Sequence, residues 1–154
     1  MYVPLLFVHS LVRWLVLASA VFAIFRAFRG AAKNAPFEKI DNRAGFLFLG
    51  LCDLQLLLGL ILYFGVGIYS RTALLDMKGA MKDSILRFWG VEHVTAMLLG
   101  ITLVHVGRAL SKRASTDLAK HRRARNYYLA ALVLILAGIP WPGTVYARSL
   151  IPTL

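Results

Sequence analysis

The stretch Leu56-Leu57-Leu58-Gly59-Leu60-Ile61-Leu62-Tyr63-Phe64-Gly65-Val66-Gly67 carries no polar stripe, and neither does Leu129 to Ile139. A helix on the surface of a soluble domain needs such a stripe. The chain as a whole is 59% hydrophobic with a mean hydropathy of +0.68, against about 45–50% apolar residues in soluble domains. Four apolar blocks stand out, at residues 2–27, 44–68, 87–108 and 127–147. Each is long enough for a bilayer span, which takes about 20 residues. The fold expected for residues 1–154 is therefore all-α, a single polytopic membrane four-helix up-down bundle. The first block lacks a preceding basic stretch, is too long for a leader, and carries Arg13 in its middle. It reads as a spanning helix rather than a cleaved signal.

Charge supplies the orientation. Residues 26–43 contain Arg26, Arg29, Lys33, Lys39 and Arg43, and residues 108–125 contain Arg108, Lys112, Arg113, Lys120, Arg122, Arg123 and Arg125, so the two connections hold 12 of the 18 basic residues. Lys/Arg-rich short loops stay cytoplasmic, which puts both termini outside the cytoplasm of a bacterial inner membrane. The net charge of +11 is read as a topology signal that touches anionic lipid headgroups, not as a nucleic-acid footprint. Tyr2, Trp89, Trp141 and Tyr146 fall at the expected outer interface, where amphipathic rings prefer to sit. Between the second and third blocks, Leu74, Met77, Met81 and Ile85 recur at helical spacing. They suggest either a short interfacial helix or an ordinary solvated loop. Cys52 is the one cysteine and reads as a small buried apolar residue.

Chemistry must come from the few polar residues at membrane depth, each a functional hypothesis by default. These are His9, Arg13, Asp53, Gln55, Glu92, His93 and His105. If the first and third blocks run the same way, His9 and His93 lie at one depth, roughly 10 Å below their helix starts. Bundle cofactor sites are built from such facing side chains, and two axial imidazoles suit a haem iron in electron transfer. A plain interhelical hydrogen bond and a proton or quinone site are the competing readings of the same pair. Arg13 lies one turn below His9, and Asp53 reaches a similar depth from the other side, so the two are expected to pair. In that pairing Arg13 is a structural partner or a contact for a haem propionate or quinone oxygen. Gln55 should serve another interface. Glu92 should pair with Arg87 or Arg148, or accept a proton in quinol oxidation. His105 is left without an intramembrane histidine partner, and His121 should be solvated in its basic loop.

His9-Ser10-Leu11-Val12-Arg13-Trp14, Arg87-Phe88-Trp89-Gly90-Val91-Glu92-His93 and Ile139-Pro140-Trp141-Pro142 together resemble a group of small bacterial four-helix membrane proteins labelled "cytochrome b". The resemblance covers nearly the whole chain. It implies haem b and a redox role, and it maps onto His9, Arg13, Glu92 and His93. The function expected is a b-type electron-transfer protein with haem b between helices one and three, ligated by His9 and His93, with Arg13 beside it. Quinone is a second candidate ligand, and redox-complex subunits or a second copy are candidate partners. The alternatives are a cofactor-free accessory or assembly subunit, and a small proton-coupled carrier using Asp53, Arg13 and Glu92.

Overall fold

The computed structural model describes residues 2–150, whose regular secondary structure is entirely helical, with no strand among them. Helix α1 spans Tyr2–Lys33 and α2 spans Lys39–Leu60, running on through a π-helical turn at Ile61–Val66. Three short helices follow, α3 (Ile68–Leu75), α4 (Met77–Ala80) and α5 (Ser84–Arg87). A second π-helical turn, Phe88–Glu92, joins α5 to α6 (His93–Lys112), and α7 spans Asp117–Gly138. The continuous stretches Tyr2–Lys33, Lys39–Val66 and Ser84–Lys112 have 32, 28 and 29 residues and are long and apolar enough to cross a membrane.

The fourth apolar block differs from expectation. Helix α7 begins at Asp117 rather than 127 and stops at Gly138 rather than 147. Its first turns are charged, and Thr116 caps them by accepting from the Ala119 amide at 3.2 Å. Its end is dictated by Pro140, which cannot continue a helix and forces the preceding residue into extended geometry. Ile139 accordingly has φ −75° and ψ 133°. Only the part from Tyr127 onward is apolar, roughly 18 Å of helix. Between α2 and α6, where either one short interfacial helix or a solvated loop was expected, the chain forms three short helices. Asp76 caps α4 through the Gly79 amide, and Asp83 caps α5 through the amides of Ile85 and Leu86. Each such N-cap satisfies the first free amides of a new helix, so the chain restarts there instead of continuing the previous one.

The α1–α2 turn shows the same logic. Asn34 adopts a left-handed φ of 47°, and the Ala35 amide bonds back to the Gly30 carbonyl at 3.0 Å, which is the Schellman closure of a helix. Pro36 then blocks continuation. Glu38 opens α2 in a capping box with Asp41, and Arg26 reaches across to hold Asp41 at 2.8 Å and Glu38 at 3.0 Å.

Contacts run from α1 to α2, α2 to α6, α6 to α7 and α7 back to α1, so α1 and α6 face each other across a ring. The end of the ring near the basic connections is closely packed. Ala20, Phe48, Val104 and Ala131 are fully buried, and Phe48 meets Tyr128 edge-on at 5.5 Å. Here the structure corrects the reading of His121, which is 1% exposed rather than solvated. Its ring lies against Gly30 of α1, where any Cβ would overlap it, and it packs on Phe37 at 5.0 Å. Its Nε2–H donates to the Pro36 carbonyl at 3.4 Å.

Candidate functional site

Toward the other end the ring opens into a cavity of about 290 Å³. Helix α1 supplies Leu6, His9, Ser10, Arg13 and Val16 to its wall, at the spacing of a single helical face. Helix α2 supplies Cys52, Gln55 and Gly59. Trp89 and His93, four residues apart, come from the π-helical turn and the start of α6. π-helical turns are frequent at functional sites. Ile135 and Ile139 close the α7 side. The walls are apolar apart from these few polar groups, the usual make-up of a small-molecule site.

The two histidines enter the cavity from opposite sides of the ring and are held differently. His93 Nδ1 lies 2.7 Å from the Gly138 carbonyl. A carbonyl only accepts, so Nδ1 carries the proton and Nε2 keeps its lone pair. Metal-ligating histidines are oriented by this kind of bond from the other ring nitrogen. Trp89 and Phe88 flank the ring at 5.4 and 5.9 Å. His9 instead leans on α2. Its Cε1 would lie 3.2 Å from a Cβ at Gly59, so the missing side chain makes the niche for the ring. The Gln55 amide donates to the His9 carbonyl at 3.0 Å and sits 3.2 Å from His9 Nε2.

Arg13 donates from Nη2 to the Leu150 carbonyl at 2.7 Å, and Trp14 donates to the same oxygen at 3.0 Å. The expected Arg13–Asp53 pair does not form. Asp53 instead accepts from His105 Nε2 at 2.8 Å, with both side chains nearly half exposed on the outer surface. The two carboxamide and carboxylate positions are thus reversed from expectation: Gln55 faces α1, and Asp53 faces away. Residues 53 and 55 lie about 200° apart on the wheel, on nearly opposite faces of α2, so when one turns inward the other must face out. Glu92 pairs with Arg87 at 2.7 Å, as one of the two expected partners. Asp53, Arg13 and Glu92 therefore occupy three separate surroundings.

Three buried polar atoms at the cavity wall have no hydrogen-bond partner among the described residues: His9 Nδ1, Arg13 Nε and Gln55 Oε1. Buried polar groups are ordinarily satisfied, and all three of these belong to residues that line one cavity. Sequence reading overlooked the mouth. Arg148 lies over the rings of Trp89 and Tyr69 at 5.1 and 5.4 Å and donates to Tyr2 Oη at 3.2 Å. Tyr146 stacks on Phe88 at 3.6 Å, and Tyr63 donates to the Gly90 carbonyl at 2.6 Å. The aromatic residues were visible as an interfacial belt, but their assembly over a cavity depends on α3 and the segment after α7 folding inward. No histidine, cysteine or carboxylate cluster of three or more that could hold a bare metal ion occurs among the described residues.

Comparison with known proteins returns no match to a family model, a curated protein or a solved structure.

Proposed function

We propose that this chain is a four-helix up-down membrane bundle of the bacterial cytoplasmic membrane that carries haem b in the cavity between α1 and α6. In this reading both termini lie outside the cytoplasm, His9 and His93 would hold the haem iron, and the protein transfers electrons. The observation that carries the proposal is the meeting of two imidazoles, from opposite sides of the ring, on one apolar cavity. His93 fits the role directly, because the Gly138 carbonyl takes its Nδ1–H and leaves Nε2 for a metal. His9 fits after Gln55 releases Nε2, a side-chain movement that leaves the Gln55 bond to the His9 carbonyl in place. Held by two imidazoles, the group would supply one-electron exchange rather than oxygen chemistry.

The chain's own residues then have distinct tasks. Gly138 fixes the tautomer and plane of His93. Gly59 makes room for the His9 ring. Arg13 brings a positive charge to the wall, with its Nε still able to donate toward an anionic or carbonyl oxygen. Leu6, Val16, Ile101 and Ile135 keep the interior dry.

The unsatisfied nitrogens of His9 and Arg13 favour a second reading for the same space, a quinone whose carbonyl oxygen meets these donors, while Gln55 Oε1 would accept from the hydroxyl of the reduced quinol. A reduced-minus-oxidised spectrum of the purified protein decides between them. Haem predicts a Soret band that sharpens on dithionite reduction, is lost in His9→Ala and in His93→Ala, and survives in His105→Ala. A colourless, folded protein from haem-replete cells that binds a ubiquinone or menaquinone analogue would replace the haem reading with the quinone reading. A colourless protein binding neither would leave a cofactor-free accessory subunit.

A further inference from the structure

The outer face shared by α2 and α6 carries chemistry unsuited to lipid. Asp53 stands at the middle of the 28-residue stretch Lys39–Val66, and His105 meets it from α6 at 2.8 Å, with side-chain exposures of 45% and 49%. Ionisable side chains at that depth are costly and ordinarily face protein or water rather than acyl chains. Their neighbours on the same face point the same way. On α2, Phe46, Gly50, Asp53 and Leu57 follow one another at spacings of four, three and four; Phe46, Gly50 and Leu57 are exposed and Asp53 is partly so. A Cβ at Gly50 would meet nothing within 4 Å, so a second backbone can approach closely there. On α6, Leu98, Thr102, His105 and Ala109 repeat the pattern and are likewise exposed. Alternation of three and four is the spacing at which helices interlock.

The geometry points to a second copy of this chain as the occupant of the α2–α6 face, packed about a two-fold axis with the Asp53–His105 pair at its centre. Charge complementarity selects a copy rather than an unrelated subunit. When His105 is protonated, each Asp53–His105 unit has used Asp53 Oδ1 and His105 Nε2 on itself. It still presents a carboxylate oxygen and a ring N–H, and each is what the same unit in a two-fold mate requires. Two copies therefore satisfy four groups that lipid cannot.

The inference does not depend on the ligand of the cavity, and its test is read without one. Full-length protein in phospholipid vesicles, carrying Leu57→Cys or Thr102→Cys, is oxidised with copper phenanthroline and run on a denaturing gel. The unsubstituted chain, whose Cys52 is buried, sets the background. A cross-linked homodimer at one or both α2–α6 positions, with none at Phe22→Cys or Val133→Cys on the opposite exposed faces, is the expected result. Cross-linking at Phe22 or Val133 instead, absence of cross-links everywhere, or capture only of a foreign chain would each overturn it. The double variant Asp53→Leu/His105→Leu, checked for helicity, should shift the monomer–dimer equilibrium of subunit-counting experiments toward monomer. The expected loss is about threefold to thirtyfold per interhelical bond. An unchanged equilibrium would remove the pair from the interface.

Discussion

The contact between Gly30 and His121 allows an unusually clear reversal of sign. Taken as a helix substitution, Gly30→Ala should stabilise α1, since alanine is favoured over glycine by about 0.8–1 kcal/mol. In this structure the added methyl would overlap three atoms of the His121 ring. That ring is 1% exposed and wedged against Phe37, so it has no solvent side to swing into. Overpacking of a closed core costs about 1–3 kcal/mol. The net expectation is destabilisation by up to about 2 kcal/mol, and each kcal/mol lowers the melting temperature of a chain this size by about 2–4 °C. In a His121→Ala background the same substitution should instead stabilise by about 1 kcal/mol, since only the propensity remains. Thermal unfolding in detergent, followed by circular dichroism across the four-member cycle, reads the coupling as the difference between the two effects. Gly30→Ala stabilising both backgrounds equally would refute the claim that α7 docks on α1 through this ring.

Three further outcomes follow from particular contacts. Arg26→Ala should destabilise by about 1.5–3 kcal/mol, the range for a lost charged hydrogen bond, because the Asp41 side chain is 4% exposed and loses its 2.8 Å guanidinium partner. Adding Asp41→Asn should recover part of that loss, and additive effects would show that the pair is uncoupled. Topology is read by a membrane-impermeant maleimide on intact spheroplasts. Leu75→Cys, at a position 88% exposed at the end of α3, should label from outside, and Lys33→Cys only after permeabilisation. The reverse pattern would invert the orientation. The Lys120 ammonium, bonding at 2.8 Å, holds the Asp117 carboxyl below the usual carboxylate range. A depressed folded value means the stabilisation is present above the ordinary carboxylate range and lost as pH falls through the folded value. Asp117→Asn should therefore lower the melting temperature slightly at neutral pH and have no effect in strong acid, and a pH-independent difference would count against the contact.

Sequence alone determined the properties set by local composition. The apolar blocks carrying α1, α2 and α6 follow from transfer free energy summed along the chain, which needs no knowledge of neighbours. The basic connections are equally local, and so is the presence of His9 and His93 at matching distances from their segment starts. The fourth block was misplaced by ten residues at its start because a charged helical turn looks like a loop to hydropathy, and its cap is a matter of backbone geometry. Partner choice was decided only by tertiary structure. Arg13 and Asp53 were plausible mates by depth, yet depth says nothing about rotation, and α2 turns Gln55 rather than Asp53 toward α1. His121 was hidden for a related reason: its burial is created by a glycine 91 positions away on another helix. The cavity itself arises where small and large side chains of α1, α2, α6 and α7 fail to meet, and such a gap belongs to no single segment.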